Sequence, residues 1–285
     1  MVGGIGKRLT GGLLLALILA VGIVGAAIAD GGVRISCPLT AGDDSDTCPP
    51  IPRLRFELDG QVTPMSLPRN EMQPAALDLH GRVQTTDATH PSALREMTIE
   101  LDRNVSIDST GVPVCRGWGG RELRGEGPRD CGSAIAGRGR ADFEIAFPEQ
   151  GPVKDESPVT IYNEGLDHGV QKLNAYAFVT VPVPAEIITT VEIKRVPQER
   201  YGSQAVVKVP VIAGGSGSLL RFDLRLKRLF ELRGVRRSVV KARCPDGRLS
   251  MKADPILFKN EAHTPGVPAT TVMRGLLSIP CTHTR

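Results

Sequence analysis

Leu220-Arg221-Phe222-Asp223-Leu224-Arg225-Leu226-Lys227 decides the fold. Its apolar residues fall on even positions and its charges on odd ones. Successive side chains of a β-strand point to opposite faces, so the stretch reads as a strand with one buried and one wet face. Downstream, Gly234 to Arg237 reads as a turn, and Val240, Ala242 and Cys244 continue on one face of a return strand. Val272 to Ile279 is a last apolar run, ending at Cys281. Upstream, Leu54, Phe56 and Leu58 alternate with Arg53, Arg55 and Glu57. Further runs cover Ala76 to Val83, Met97 to Leu101 leading on to Val105 and Ile107, Phe143 to Phe147, and Val159 with Ile161. Ala175 to Val183, Ile187 to Val196 and Ala205 to Ile212 follow. Pro182 and Pro184 fit a strand end or an edge, because proline cannot donate to the ladder.

These runs give about a dozen short strands bounded by Gly, Pro, Asn and Asp. Only Ser133 to Ala136 and Glu71 to Ala76 have room for a helical turn. The expected class is all-β with a β-sandwich architecture. One large sandwich over 54–285 fits the length, as do two small immunoglobulin-like ones with the second starting from about residue 200. The 22 prolines and 32 glycines suit turns and do not gather into a linker that would mark a boundary.

The chain begins with Lys7 and Arg8, an apolar run from Leu13 to Ile28, and Ala27-Ile28-Ala29 before Asp30. Positive charge, an apolar stretch and small residues at a cleavage site form the secretory pattern, so residues 1–29 read as a signal peptide. An uncleaved anchor is the alternative, since the run is close to the length of a membrane span. Beyond it no stretch is long and apolar enough for another span. With 35 basic and 31 acidic residues in the whole chain, loss of Lys7 and Arg8 leaves a near-neutral protein and no reason to expect nucleic acid.

All six cysteines follow residue 29, and in an exported chain an even number reads as disulfides. Neighbours in sequence are the expected partners: Cys37 with Cys48, Cys115 with Cys131, Cys244 with Cys281. Sequence alone leaves other connectivities open. A zinc site is not expected, for there is no Cys-x-x-Cys pair and no histidine pair at ligand spacing. Residues 30–53 read as an extended leader carrying the acidic loop Asp43-Asp44-Ser45-Asp46. That loop lacks the glycine and closing glutamate of a calcium hand and reads as a solvated loop.

Gly111-Val112-Pro113-Val114-Cys115 with Cys131, Phe147-Pro148-Glu149-Gln150 and Arg200-Tyr201-Gly202 carry a resemblance. Ile212-Ala213-Gly214-Gly215-Ser216-Gly217-Ser218 and Ala242-Arg243-Cys244-Pro245 extend it over most of the chain beyond the leader. Together they resemble a group of exported, uncharacterised β-rich proteins of soil actinobacteria. The resemblance implies export and a β-rich fold, and it brings no catalytic residue or cofactor with it. Cys37 and Cys48 fall outside it, so their pairing rests on spacing alone.

Candidate chemistry is sparse. Asp167 and His168 beside Glu164 are the first place to look for acid–base work, yet no histidine sits in a nucleophile motif and no Gly-x-Ser-x-Gly elbow exists. Ile212 to Ser218 is glycine-rich but lacks the Lys-Ser/Thr of a phosphate loop, and reads as a turn between strands. Asn104-Val105-Ser106 matches a glycosylation sequon by pattern only. Arg225, Lys227, Arg236 and Arg237 belong to a basic stretch that on alternate strand positions makes a positive face, suited to acidic cell-wall polymer or anionic lipid. Its plainer reading is a wet face that discourages edge pairing. Trp118, in Gly117-Trp118-Gly119-Gly120, reads either as a binding anchor on a braced loop or as a ring folded back over the sandwich end.

The expectation is therefore a secreted or envelope protein with a structural or interaction role, without a cofactor or metal. Its partner would be cell-wall polymer or another envelope protein. A secreted hydrolase with scattered site residues and an anionic-polymer binder are the alternatives.

Overall fold

The computed structural model describes residues 54–116, 127–147, 151–263 and 266–284. The expected signal segment, the leader with Cys37, Cys48 and its acidic loop, and Trp118 lie outside the described residues.

The described residues open with β1 (Leu54–Thr63), β2 (Ser66–Leu67), β3 (Gln73–Thr85), β4 (Ala93–Asp102) and β5 (Val105–Ile107). A 3-10 segment, η1 (Arg129–Ala134), leads into β6 (Ile135–Ile145), β7 (Val153–Asp167), β8 (Val170–Val179), β9 (Ala185–Arg195) and β10 (Tyr201–Lys208). After a second 3-10 turn, η2 (Ala213–Gly215), come β11 (Gly217–Leu226), β12 (Leu229–Leu232), β13 (Val235–Ser238) and β14 (Val240–Ala242). The chain closes with β15 (Arg248–Lys259), β16 (Thr270–Pro280) and β17 (Thr282–His283).

A single 13-stranded sheet carries the fold, in the order β16-β15-β4-β10-β9-β8-β7-β6-β11-β3-β14-β5, with β1 also paired to β3. Strands after residue 200 are woven among those before it: β10 lies between β4 and β9, and β11 between β3 and β6. The sheet folds over on itself as a sandwich. β11 of the run β1-β3-β11-β6-β7 packs across from β4 of the run β16-β15-β4-β10-β9-β8, and β1 packs across from β16. β1 also meets β15 there. Phe56 meets Phe258 edge-on with ring centroids 5.7 Å apart, and a Cβ on Gly60 would stand 3.1 Å from both Leu277 and Ile279.

Glycines form the tight part of the fold. A Cβ on Gly139 would stand 2.1 Å from the carbonyl oxygen of Asp223, and one on Gly137 2.5 Å from that of Arg225. Only glycine lets the β6 and β11 backbones approach this closely. On the other flank of β11, the Phe222 ring covers Gly81 of β3 directly.

The deciding stretch forms β11, with one departure from strict alternation. A bulge between Leu219 and Arg221 puts Leu219, Phe222, Leu224 and Leu226 on the inner side and leaves Leu220 out of that row. The turn expected at Gly234 is narrower than the sequence suggests. Arg233 and Gly234, both at positive φ, join β12 to β13, so Val235 to Arg237 belong to a strand. Glu71 to Ala76 leads into the start of β3 rather than a helical turn.

Candidate ligand-binding site

The two layers do not fill the space between them evenly. Toward β1 and β16 the interior holds Phe56, Phe258, Leu249, Met251, Ile256 and Ile279, all nearly inaccessible to water. Toward β7 and β8 the inward positions are short. Ala175 faces Ile161 and Thr189 across its two ladders, Ala177 faces Val159 and Ile187, and Ala205 faces Ile99 and Ile193. Short side chains in register leave an apolar cavity of about 140 Å³ between the layers. Its walls are the inner rows of β3 to β11, with Thr189 the one hydroxyl-bearing residue among the described lining. The volume is close to that of an engineered cavity of roughly 150 Å³ that stays dry and binds benzene. A single hydroxyl falls short of the two to four polar partners that hold a buried water, so an apolar group is the occupant the wall suits.

The sequence candidates lie elsewhere. Asp167 and Val170 pair across a two-residue loop in which His168 and Gly169 both have positive φ, 47° and 83°. Positive φ at both central residues is the hairpin turn whose twist matches the strands. His168 is therefore a turn residue, 95% exposed, with Nδ1 2.6 Å from Asp167 Oδ1. Lys172 Nζ lies 2.8 Å from Asp167 Oδ2, and together Lys172 and His168 hold the Asp167 carboxyl below its ordinary range. Glu164 acts only as a neighbouring charge on Lys172. The glycine-rich stretch is a strand-to-strand turn, closed by Gly215 and Gly217 N–H groups donating to Ile212 O. Asn104 of the sequon is buried: its Nδ2 donates to Asp102 Oδ1 and its Oδ1 accepts from Arg243 Nε.

The basic residues divide between β11 with its end and the β12–β13 hairpin. Arg225 on the outside of β11 reaches Asp78 Oδ1 of β3 at 3.3 Å, and Lys227 is exposed just beyond the strand. Arg236 is exposed opposite Glu231 in the β12–β13 hairpin. Arg237 lies opposite Phe230, half-buried, with Nε shielded from water.

The disulfides Cys115–Cys131 and Cys244–Cys281 both form, as neighbour pairing predicts. Cys115–Cys131 packs with Ala134 over Tyr162 and Tyr176 on the outer side of β7 and β8. Burial, followed by the nearby Glu186 carboxylate, pushes the Tyr176 hydroxyl up to about 12. Cys244–Cys281 ties the end of β14 to the junction of β16 and β17.

One cluster invisible in the sequence has the order of a nucleophile, base and acid. Ser218 and Glu144 are cross-strand partners on β11 and β6, and His90 reaches them from the β3–β4 loop. Ser218 Oγ is 3.0 Å from His90 Nε2, and His90 Nδ1 is 2.8 Å from Glu144 Oε1. The hydroxyl is not placed for attack. Ser218 is 1% exposed, and its Oγ donates to Pro91 O at 2.6 Å. With its only proton given there, Oγ accepts from His90. The cluster fastens the β3–β4 loop to the sheet.

Compared with known proteins, the chain matches no family model, no curated protein and no solved structure.

Proposed function

We propose that the protein is an exported, non-enzymatic protein of the extracellular space or cell envelope that acts by holding a small apolar group between its layers. The cavity beside Ala175, Ala177 and Ala205 is the observation that carries this reading. Two disulfides support folding in an oxidising compartment. The N-terminal pattern of charge, apolar run and small residues supports export through a signal peptide. A rigid, disulfide-braced sandwich suits binding because the pocket exists before the ligand arrives.

Benzene is a direct probe. Titrated into the protein and followed by methyl NMR, it is expected to shift resonances of Leu173, Val191 and Val207, which line the cavity, and to leave Leu249 and Met251 unmoved. Equal shifts across both groups, or none, would overturn the proposal.

A further inference from the structure

A groove of about 640 Å³ opens where the cavity ends, and Ile107 and Ile193 line both. The inward rows of β8 and β10 change character there. Gln171 stands two residues before Leu173, and Ser203 two before Ala205. Gln171 pairs with Ile193, and Ser203 pairs with Arg195. Both residues line the groove, and both are more than nine-tenths buried, at 7% and 9% exposure. Gln171 Oε1 accepts from the Ser109 backbone N–H at 3.0 Å, which leaves its NH₂ as the free end. Gln171 Nε2 and Ser203 Oγ have no hydrogen-bond partner among the described residues.

The charge around these groups is one-sided. Arg103, Lys194 and Arg195 line the same groove. Lys194 and Arg195 have no carboxylate partner among the described residues. Asp108 is the one acidic lining residue, and its Oδ1 accepts from the Thr110 N–H at 2.9 Å. Leu166, 68% exposed, adds an apolar rim. The groove thus presents donors and an excess of positive charge, with the Asp108 carboxylate the one opposing charge among its described lining. An anion bearing several acceptor oxygens fits it.

We propose that this groove is the head-group site of an amphiphile whose tail enters the cavity: a short alkyl or aryl chain ending in a carboxylate or phosphate. The proposal rests on the reading of the cavity as a ligand site and adds the polar half of the ligand. Gln171 and Ser203 would hold the head oxygens at the mouth, and Arg195, on the same inward row as Ile193, would supply the opposing charge.

Calorimetric titration with octanoate, octan-1-ol, acetate and inorganic phosphate tests it on the whole protein. Octanoate is expected to bind about tenfold or more tighter than octan-1-ol, and acetate and phosphate far more weakly. The exposed variant Arg195→Ala is expected to weaken octanoate several-fold while leaving octan-1-ol unchanged. Ala177→Phe, which fills the cavity, is expected to weaken both. Equal affinity for octanoate and octan-1-ol, or no effect of the charge variant, would overturn the head-group site and leave the cavity reading standing. Phosphate binding as tightly as octanoate would overturn it too, by showing a site for free anions. Binding of octanoate unaffected by Ala177→Phe would overturn the link between groove and cavity. Binding of neither octanoate nor octan-1-ol would overturn both.

Discussion

Ser218 has a single proton to give, and it goes to Pro91. Its burial and its contact with His90 make it a fastening, so its removal is a stability experiment. Ser218→Ala leaves His90 Nε2 and Pro91 O without their present partner and is expected to lower unfolding free energy by about 1–3 kcal/mol, read from urea midpoints. His168 behaves in the opposite way. It occupies a positive-φ turn position for which Asn is better suited, so His168→Asn is expected to hold or slightly raise the melting temperature. Tyr176 gives a pH dependence. Its hydroxyl rises from an ordinary 10.0 to about 12 in the folded protein, so the folded state holds that proton more tightly than the unfolded chain. The associated stability is complete below pH 10 and is lost as pH rises through about 12. Denaturation midpoints across that range should fall, and Tyr176→Phe should flatten the fall. None of these roles was legible in the sequence. His90, Glu144 and Ser218 are far apart in the chain, and only the β6–β11 register and the β3–β4 loop bring them together.

At the scale of elements, alternation was enough where strands are regular. β1 shows it clearly, and β9 and β11 lie close to where their apolar residues place them although their burial alternates less regularly. β15 was missed altogether. Asp254-Pro255 interrupts its apolar row, and the register shift between Ala253 and Ile256 is where the ladder absorbs that break. β7 was read as a short strand because Pro158 and the polar residues around it mask one 15-residue element. Cys115–Cys131 and Cys244–Cys281 were legible because each joins neighbours in sequence. Cys244–Cys281 holds the last strands to a short β14 and to the β2–β17 pair, where few ladder bonds exist. Replacing both with serine is expected to lower stability by about 2–4 kcal/mol, checked by denaturant unfolding beside the unaltered chain.

At the scale of the whole molecule, the uneven interior is the feature the account depends on. The class was legible from strand periodicity, but the cavity was not. Ala175, Ala177 and Ala205 read as ordinary strand residues until the register stacks them across two layers. The polar inward residues Gln171 and Ser203 did leave a trace, as breaks at the start of apolar alternation, Gln-x-Leu-x-Ala and Ser-x-Ala-x-Val. The basic stretch that stands out in the sequence, Arg225, Lys227, Arg236 and Arg237, divides between β11 with its end and the β12–β13 hairpin, away from the lining of the groove. The most direct test compares thermal unfolding of the protein and of Ala177→Leu, each with and without saturating benzene. A ligand at a hundred times its dissociation constant stabilises a folded state by about 2.7 kcal/mol. The account predicts a clear rise in melting temperature with benzene for the unaltered protein, and none for the filled variant. An equal response from both proteins, or none from the unaltered one, would contradict it.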